Sequence, residues 1–354
     1  MARLNVVGSG PVALAFALFA ARQGFARGDI DLAVAGTPPP EVGRRVLAIS
    51  LGSWQLLSRV ASLPRAAAIG TVDVSVLGHP GRTRITAREM KAPALGYVLR
   101  YSDLLAALDA AARAAGLGRA EPDPIAPPGV TVHAEGDTGE DAQVREFEQA
   151  ALLAEVAVSD VRGGVAYECF GAAGPLAMLP LPEPRRYGLV WCATPAESRR
   201  RAALDAPALS AELQAAFGWS LGTLEVVGDA FAWPMSRRAR RVLVERDEVW
   251  IGNAAQVLHP VGGQGLNLGL RDAFLLAQVL GEAKAARRSL ELALETYLKR
   301  RRLDRGGTIA LTDTLARAFG IAPLRPLQSA AIAALDAAAP LRAGIARQFM
   351  FGVR

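Results

Sequence analysis

The sequence predicts an α/β fold in which a Rossmann-like layer is interleaved with a second, largely antiparallel sheet and followed by a C-terminal helical region. Three observations carry this. A short β-branched strand, Arg3 to Val7, runs into Gly8-Ser9-Gly10-Pro11-Val12-Ala13 and then an alanine-rich helix to about Gln23. That is GxGxxG with Ala at the third place, between a strand and a helix as the motif requires. Far along the chain, Trp250 to Leu280 reads as strand, glycine-rich loop and long helix. Between the two, short apolar runs separated by Gly and Pro turns read as antiparallel strands.

In order along the chain, Gly8 makes the tight turn, Gly10 admits a pyrophosphate, and Ala13 still allows helix to pack on strand. A strand from Ile30 to Ala35 follows, where Ala35 stands in place of the acid that would hold a ribose hydroxyl. Arg44 and Arg45 open a further apolar run to Ser50, ahead of a helix from about Ser53 to Val60. Val72 to Leu77 and Arg84 to Thr86 read as hairpin strands. Gly96 to Arg100 leads into a helix capped by Ser102 and ending near Ala115. Arg100 reads either as a cation for cofactor phosphates or as a solvated arginine near a helix start. Residues 116–130 are Pro-rich and irregular, and Val130 to Ala134 is a strand that ends in Glu135-Gly136-Asp137.

The antiparallel block takes in Ala150 to Val158, Val165 to Phe170, Leu176 to Leu179 and Tyr187 to Ala193. A helix from Pro207 to Phe217 interrupts it, and strands at Leu224 to Val227 and Arg241 to Glu245 follow. Arg246-Asp247 turns the chain back into the strand Val249 to Ile251. Gly262, Gly263 and Gly265 let the backbone approach a ligand, and the first amides of the helix from about Leu266 attract negative charge. A plain glycine-rich turn is the alternative. From Leu290 the chain is helical, and from Pro323 it alternates Leu, Ala and Ile with Arg325, Arg342 and Arg347. Such a tail either rests on a membrane surface or a partner, or caps the core as an ordinary helix.

The chain has 354 residues, enough for two intimately packed domains. Forty Lys+Arg against 34 Asp+Glu give a net charge of +6. The excess is almost all Arg scattered over helices without interleaved aromatics, so nucleic acid is not the expected partner. Cys169 and Cys192 lie outside any CxxC spacing and there are three histidines, so neither a disulfide framework nor a metal site is expected. The apolar run Leu14 to Ala21 follows GSG without a separate cationic region, and is read as a core helix rather than a leader. A cytoplasmic location is expected, peripheral on the inner face of the cytoplasmic membrane.

GSGPVA near residue 8, GYVLR before a helix, AEGD and GNAAQVLHPVGGQGLNLGLRD together resemble one family, the FAD-dependent aromatic hydroxylases of ubiquinone biosynthesis. Gly174 to Pro180, Leu189 to Cys192 and Phe217-Gly218-Trp219 are similar to the substrate domain of the same branch. The resemblance implies an FAD-binding domain of the single-component flavoprotein monooxygenase type over residues 1–70, 97–149 and 246–307. It implies a substrate domain over 71–96 and 150–245, and a helical region over 308–354. It also implies a polyprenyl-methoxyphenol-like substrate, molecular oxygen, and NADH or NADPH as electron donor.

By that resemblance Gly8, Gly10, Pro11 and Ala13 hold the FAD pyrophosphate, with charge from Arg44 and Arg100, while Glu135-Gly136 stands at a phosphate-side turn. Gly252 and Asn253 meet the ribityl chain, and Gly262, Gly265, Leu266 and Asn267 meet the pyrimidine end of the flavin. Pro260 lines the face where a flavin hydroperoxide forms, and His259 either assists phenol deprotonation or serves a structural hydrogen bond. Ala35, Glu135 in place of Asp, and the short 116–130 segment depart from the family. They support an alternative, a non-catalytic or weakly flavin-binding member of a ubiquinone-biosynthesis complex. A reductase or dehydrogenase acting on another lipid-like substrate is a third reading, and a homo-oligomer is a further expected assembly.

Overall fold

A computed structural model describes residues 3–33, 40–117, 119–120, 129–136, 138, 142–318 and 322–353. Ala35, Asp137 and most of the 116–130 segment lie outside the described residues.

The N-terminal third supplies β1 (Arg3–Val7), α1 (Pro11–Arg22), β2 (Ile30–Ala33), α2 (Pro40–Gly43), β3 (Val46–Ser50) and α3 (Leu51–Leu57). It continues with β4 (Ala67–Ile69), β5 (Thr71–Val76), β6 (Arg82–Thr86), β7 (Gly96–Arg100) and α4 (Tyr101–Ala114). The middle of the chain holds β8 (Arg119–Ala120), β9 (Gly129–His133), β10 (Ala142–Val158), β11 (Val165–Gly171), β12 (Gly174–Pro180) and β13 (Arg186–Ala193). After α5 (Pro195–Ala202) and α6 (Ala206–Phe217) come β14 (Leu224–Arg240), β15 (Val244–Glu245), β16 (Glu248–Trp250) and β17 (Gln256–Val257). Four helices complete it: α7 (Gln264–Ala285), α8 (Leu290–Ala318), α9 (Arg325–Ala337) and α10 (Ala339–Phe351).

Among the described residues, one sheet runs β15-β16-β9-β1-β2-β8, with β16, β9, β1, β2 and β8 mutually parallel. Helices α1, α4, α7 and α8 pack on it around Leu4, Val6, Phe16, Leu108 and Leu276. The second sheet runs β17-β14-β10-β13-β12-β11-β5-β6 and is antiparallel except at β5–β11. One face packs on α6 through Leu209, Leu213 and Phe217. The other faces the three-stranded sheet β3-β7-β4 and the C-terminal helices.

Several local expectations are corrected. The fourth helix is not capped by Ser102: Arg100 is its N-cap and makes no side-chain cap bond, while Ser102 Oγ bonds Asp103. Helix α3 starts earlier than expected, because the Ser50 side chain accepts from Ser53 N and caps it. The strand expected to stop at Val227 continues to Arg240, passing Gly228 at φ +72° with a register shift opposite Leu153/Glu155. The Arg241–Glu245 strand shrinks to Val244–Glu245. Helix α5 was not expected, although Thr194-Pro195-Ala196-Glu197 carries its signal: Thr194 Oγ1 accepts from Glu197 N, with Pro at the first turn.

Candidate active site

The first turn of the Rossmann layer has the geometry its glycines require. Gly8 has φ +143°, and a Cβ there would lie 2.5 Å from Ala134 O, so β9 and its Glu135-Gly136 turn press directly on it. Gly10 caps α1 in extended conformation with Pro11 at the first helical position, and the first turn carries no acid. Ala13 is fully buried, as close packing of helix on strand demands. A Cβ on Gly10 would meet the Tyr101 hydroxyl at 3.4 Å.

The second glycine segment folds onto this turn. Gly252 has φ +59°, and Cβ atoms placed on Gly252 and Gly269 would each lie 2.9 Å from Val12 side-chain carbons. One residue of the first motif thus touches both Gly252 and the second turn of α7. The Gly252 amide is held by Asp272 Oδ2 at 3.2 Å, and Asn253 beside it is exposed. Gly262 and Gly263 both adopt positive φ and lead into α7, whose first turn also lacks an acid. A Cβ on Gly265 would meet nothing within 4 Å, so the amides of Gly265 and Leu266 begin the helix beside open space.

Asn267, whose backbone amide was expected to face the flavin with those of Gly265 and Leu266, has a side chain with a part of its own. It is buried, its Oδ1 accepts from Ser50 N at 2.9 Å, and its Nδ2 donates to Ala48 O at 2.9 Å and Gly263 O at 2.8 Å. Its side chain therefore clasps the start of α7 to β3. His259 is likewise structural. Nδ1 accepts from Val261 N at 3.1 Å, Nε2 faces Gln149 Oε1 at 3.2 Å, and burial pulls the imidazole down to about 4. A buried ring with both nitrogens engaged is a poor proton acceptor, which fits the structural one of the two readings of His259. Pro260, next to it, is exposed at the mouth of the loop.

The cations are also redistributed. Arg100 was expected to face phosphates, but Glu155 grips its Nε and Nη2 at 2.9 and 3.1 Å and Glu183 its Nη1 at 2.6 Å. Arg44 lies at the surface against Asp229 at 3.1 Å. A cation linked to the first turn through Tyr101, whose hydroxyl faces Gly10, is Arg45, which sequence reasoning passed over. Its guanidinium lies 5.2 Å from the Tyr101 ring and 5.0 Å from Trp233, with no carboxylate partner among the described residues. Desolvation lowers it from the usual guanidinium range. Glu135 bonds His133 Nδ1 at 3.1 Å, and His133 stacks on Trp250.

Two helix starts free of acids, four positive-φ glycines and one desolvated arginine converge here, which fits an extended, anionic dinucleotide. Residues 131–307, half of the chain, match the family model described as FAD binding domain. The chain belongs to this family. It is 34% identical over 223 residues to ubiquinone hydroxylase UbiL of Rhodospirillum rubrum, covering 58% of this chain and about half, 51%, of that relative. It is 29% identical to Escherichia coli 3-demethoxyubiquinol 3-hydroxylase over 80% of each chain. In three dimensions it matches Klebsiella pneumoniae HpxO complexed with FAD and uric acid, with TM-score 0.75, 13% identity and coverage of 99% and 97% of the two chains. The chain therefore shares the overall fold of that structure. Gly8, Gly10 and Ala13 with Arg45 would hold the pyrophosphate side of FAD, and Gly252, Asn253, Gly265 and Leu266 the flavin side.

Proposed function

We propose that the chain is an FAD-dependent aromatic monooxygenase that hydroxylates a polyprenylated phenol on the route to ubiquinone. The observation that carries this reading is the convergence of both glycine segments at Val12 in a chain of the FAD-binding family, beside an antiparallel sheet that can wall a ring. The names of its relatives support the substrate class. The phenol, oxygen, NAD(P)H and a proton become the diphenol, NAD(P)⁺ and water. Bound FAD supplies the redox chemistry that activates oxygen. The chain's own part is to bind and orient: amides at the start of α7 stabilise negative charge at the flavin end, and the clasp at Asn267 keeps them aimed.

Purified FAD-loaded protein given NADH or NADPH, ¹⁸O₂ and a 2-methoxyphenol with a short alkyl tail is the test. Incorporation of one labelled oxygen into the ring is expected. Oxidation of the reduced nicotinamide with all of the oxygen recovered as hydrogen peroxide, and no labelled phenol from any tail length, would end the reading.

The lipid-like tail of such a substrate supports peripheral contact with a membrane through α9 and α10. No single helix among the described residues is long and apolar enough to cross a membrane, but this pair is apolar and bent by 98°. Leu327 and Leu341 are exposed on it, 66% and 60%, and Arg347 lies on the surface nearby.

A further inference from the structure

Strand β11 alternates its side chains across the eight-stranded sheet. Tyr167 and Cys169 enter the core under α6, so Ala166, Glu168 and Phe170 stand on the opposite face. Register extends that face, with Val74 of β5 and Ala177 of β12 flanking Glu168. Phe170, about 7 Å along the strand, packs with Val76, Ile332 and Val261, the residue after Pro260 in the loop before α7. Ala166, on the other side, belongs to the cluster that contains Val98, Leu181 and Met350 of α10. Glu168 therefore lies between the two apolar clusters that join this sheet to the flavin loop and the C-terminal helices.

Glu168 has no hydrogen-bond or ion-pair partner among the described residues, yet it keeps some accessible surface. Its backbone is paired on both sides, and its carboxylate oxygens are not among the buried unpartnered ones, so the carboxylate keeps access to a small molecule. Apolar surroundings raise its carboxyl to about 7. The titratable group facing it from β13 is Cys192, whose thiol is pushed up by burial and by the Glu168 charge. From the other elements, His259 is neutral beside Gln149, and Asp336 of α9 is bonded to Thr83. Asp73 with Arg82 and Arg84 lies on the reverse face.

We propose that Glu168 is a catalytic residue of this site, its carboxylate accepting the hydroxyl hydrogen of a phenol held between β11 and the loop at Val261. The substrate class rests on the hydroxylase reading above. In the step, the phenol O–H bond breaks, the proton passes to a Glu168 oxygen, and the electron pair stays on the phenolate oxygen and feeds the ring. No oxidant enters this step; it raises electron density at the ring carbon that receives oxygen, and the proton then leaves to solvent.

The test compares FAD-loaded wild type, Glu168→Gln and Glu168→Asp with the same alkyl 2-methoxyphenol, following flavin absorbance from about pH 5.5 to 9. Wild-type binding should tighten as pH rises through about 7. Glu168→Gln should keep its flavin but lose that dependence and at least about tenfold in affinity above pH 7, and Glu168→Asp should retain the dependence. Infrared difference spectra of the wild type give a second measurement, in which the carboxylate bands shift when the phenol binds. A Glu168→Gln profile that superimposes on the wild type, unshifted carboxylate bands, or a wild type that binds no phenol overturns the proposal. Binding that depends on Glu168 without hydroxylated product upholds the proton role and removes the hydroxylase reading instead.

Discussion

At the scale of single residues, Asn267 and His259 show how a glycine-rich loop is kept in one shape. Asn267 places both donors on carbonyl oxygens and its acceptor on an amide, all inside the protein. Asn267→Asp puts a carboxylate oxygen against Ala48 O and Gly263 O, and should cost about 3 kcal/mol or more. The melting temperature should fall with and without FAD; an unchanged value would mean the clasp does not form. His259 makes a pH prediction whose sign is fixed by burial. Its folded affinity for protons, about 4, lies below the usual histidine value, so the unfolded chain binds the extra proton. Its contribution to stability is complete above about pH 6.5 and is lost as pH falls toward 4, up to about 3 kcal/mol. Proton NMR of the imidazole should show no titration above about pH 5; a midpoint at the ordinary histidine value would overturn this account.

At the scale of elements, the start of α7 separates what serves the fold from what serves the ligand. Gly265 has ordinary helical backbone and open space where a Cβ would go, whereas a Cβ on Gly262 would lie 2.5 Å from Phe349 Cε1 at φ +68°. Gly265→Ala should leave the apoprotein as stable or slightly more so, by up to about 1 kcal/mol, while lowering flavin retention. Gly262→Ala should lose stability and flavin together, by about 1–3 kcal/mol. Absorbance ratios after gel filtration read the first quantity and thermal melts the second. Equal flavin retention by Gly265→Ala and wild type would mean that no ligand approaches that space. The glycines were legible in the sequence because positive φ and close approach leave few other residues. The partners were not: Asn267 and Ser50, or Gly262 and Phe349, are joined only by the tertiary fold. Arg45 was hidden beside Arg44 because adjacent arginines look alike until the strand turns one toward Tyr101 and Trp233 and the other to solvent. Gly228 ended the reading of β14 early, since glycine in a strand signals a turn and a bulge equally well.

At the scale of the whole molecule, two sheets are built from interleaved pieces of chain, and the antiparallel one meets the loop at Val261 and α9 in one apolar cluster. The alternation of apolar runs and turns made the two layers readable, and the two glycine segments, read as gripping one extended molecule, do meet at Val12. The pairing of Arg100 with Glu155 and Glu183, which ties the layers together, has no local signature. If α9 and α10 touch a bilayer, Leu327→Glu with Leu341→Glu should reduce cosedimentation with vesicles of anionic phospholipid about tenfold or more while leaving flavin content unchanged. Equal pelleting of variant and wild type would remove the membrane contact.

The bond from Asn267 to Ser50 spans 217 positions in the chain. A cradle whose walls come from such distant stretches exists only when nearly everything between them is in place, so no partly folded species can hold the yellow chromophore. Loss of bound colour on heating should then coincide with global melting. A small excess of riboflavin-derived nucleotide should act as a chemical chaperone, rescuing weakened variants in proportion to its concentration over its dissociation constant.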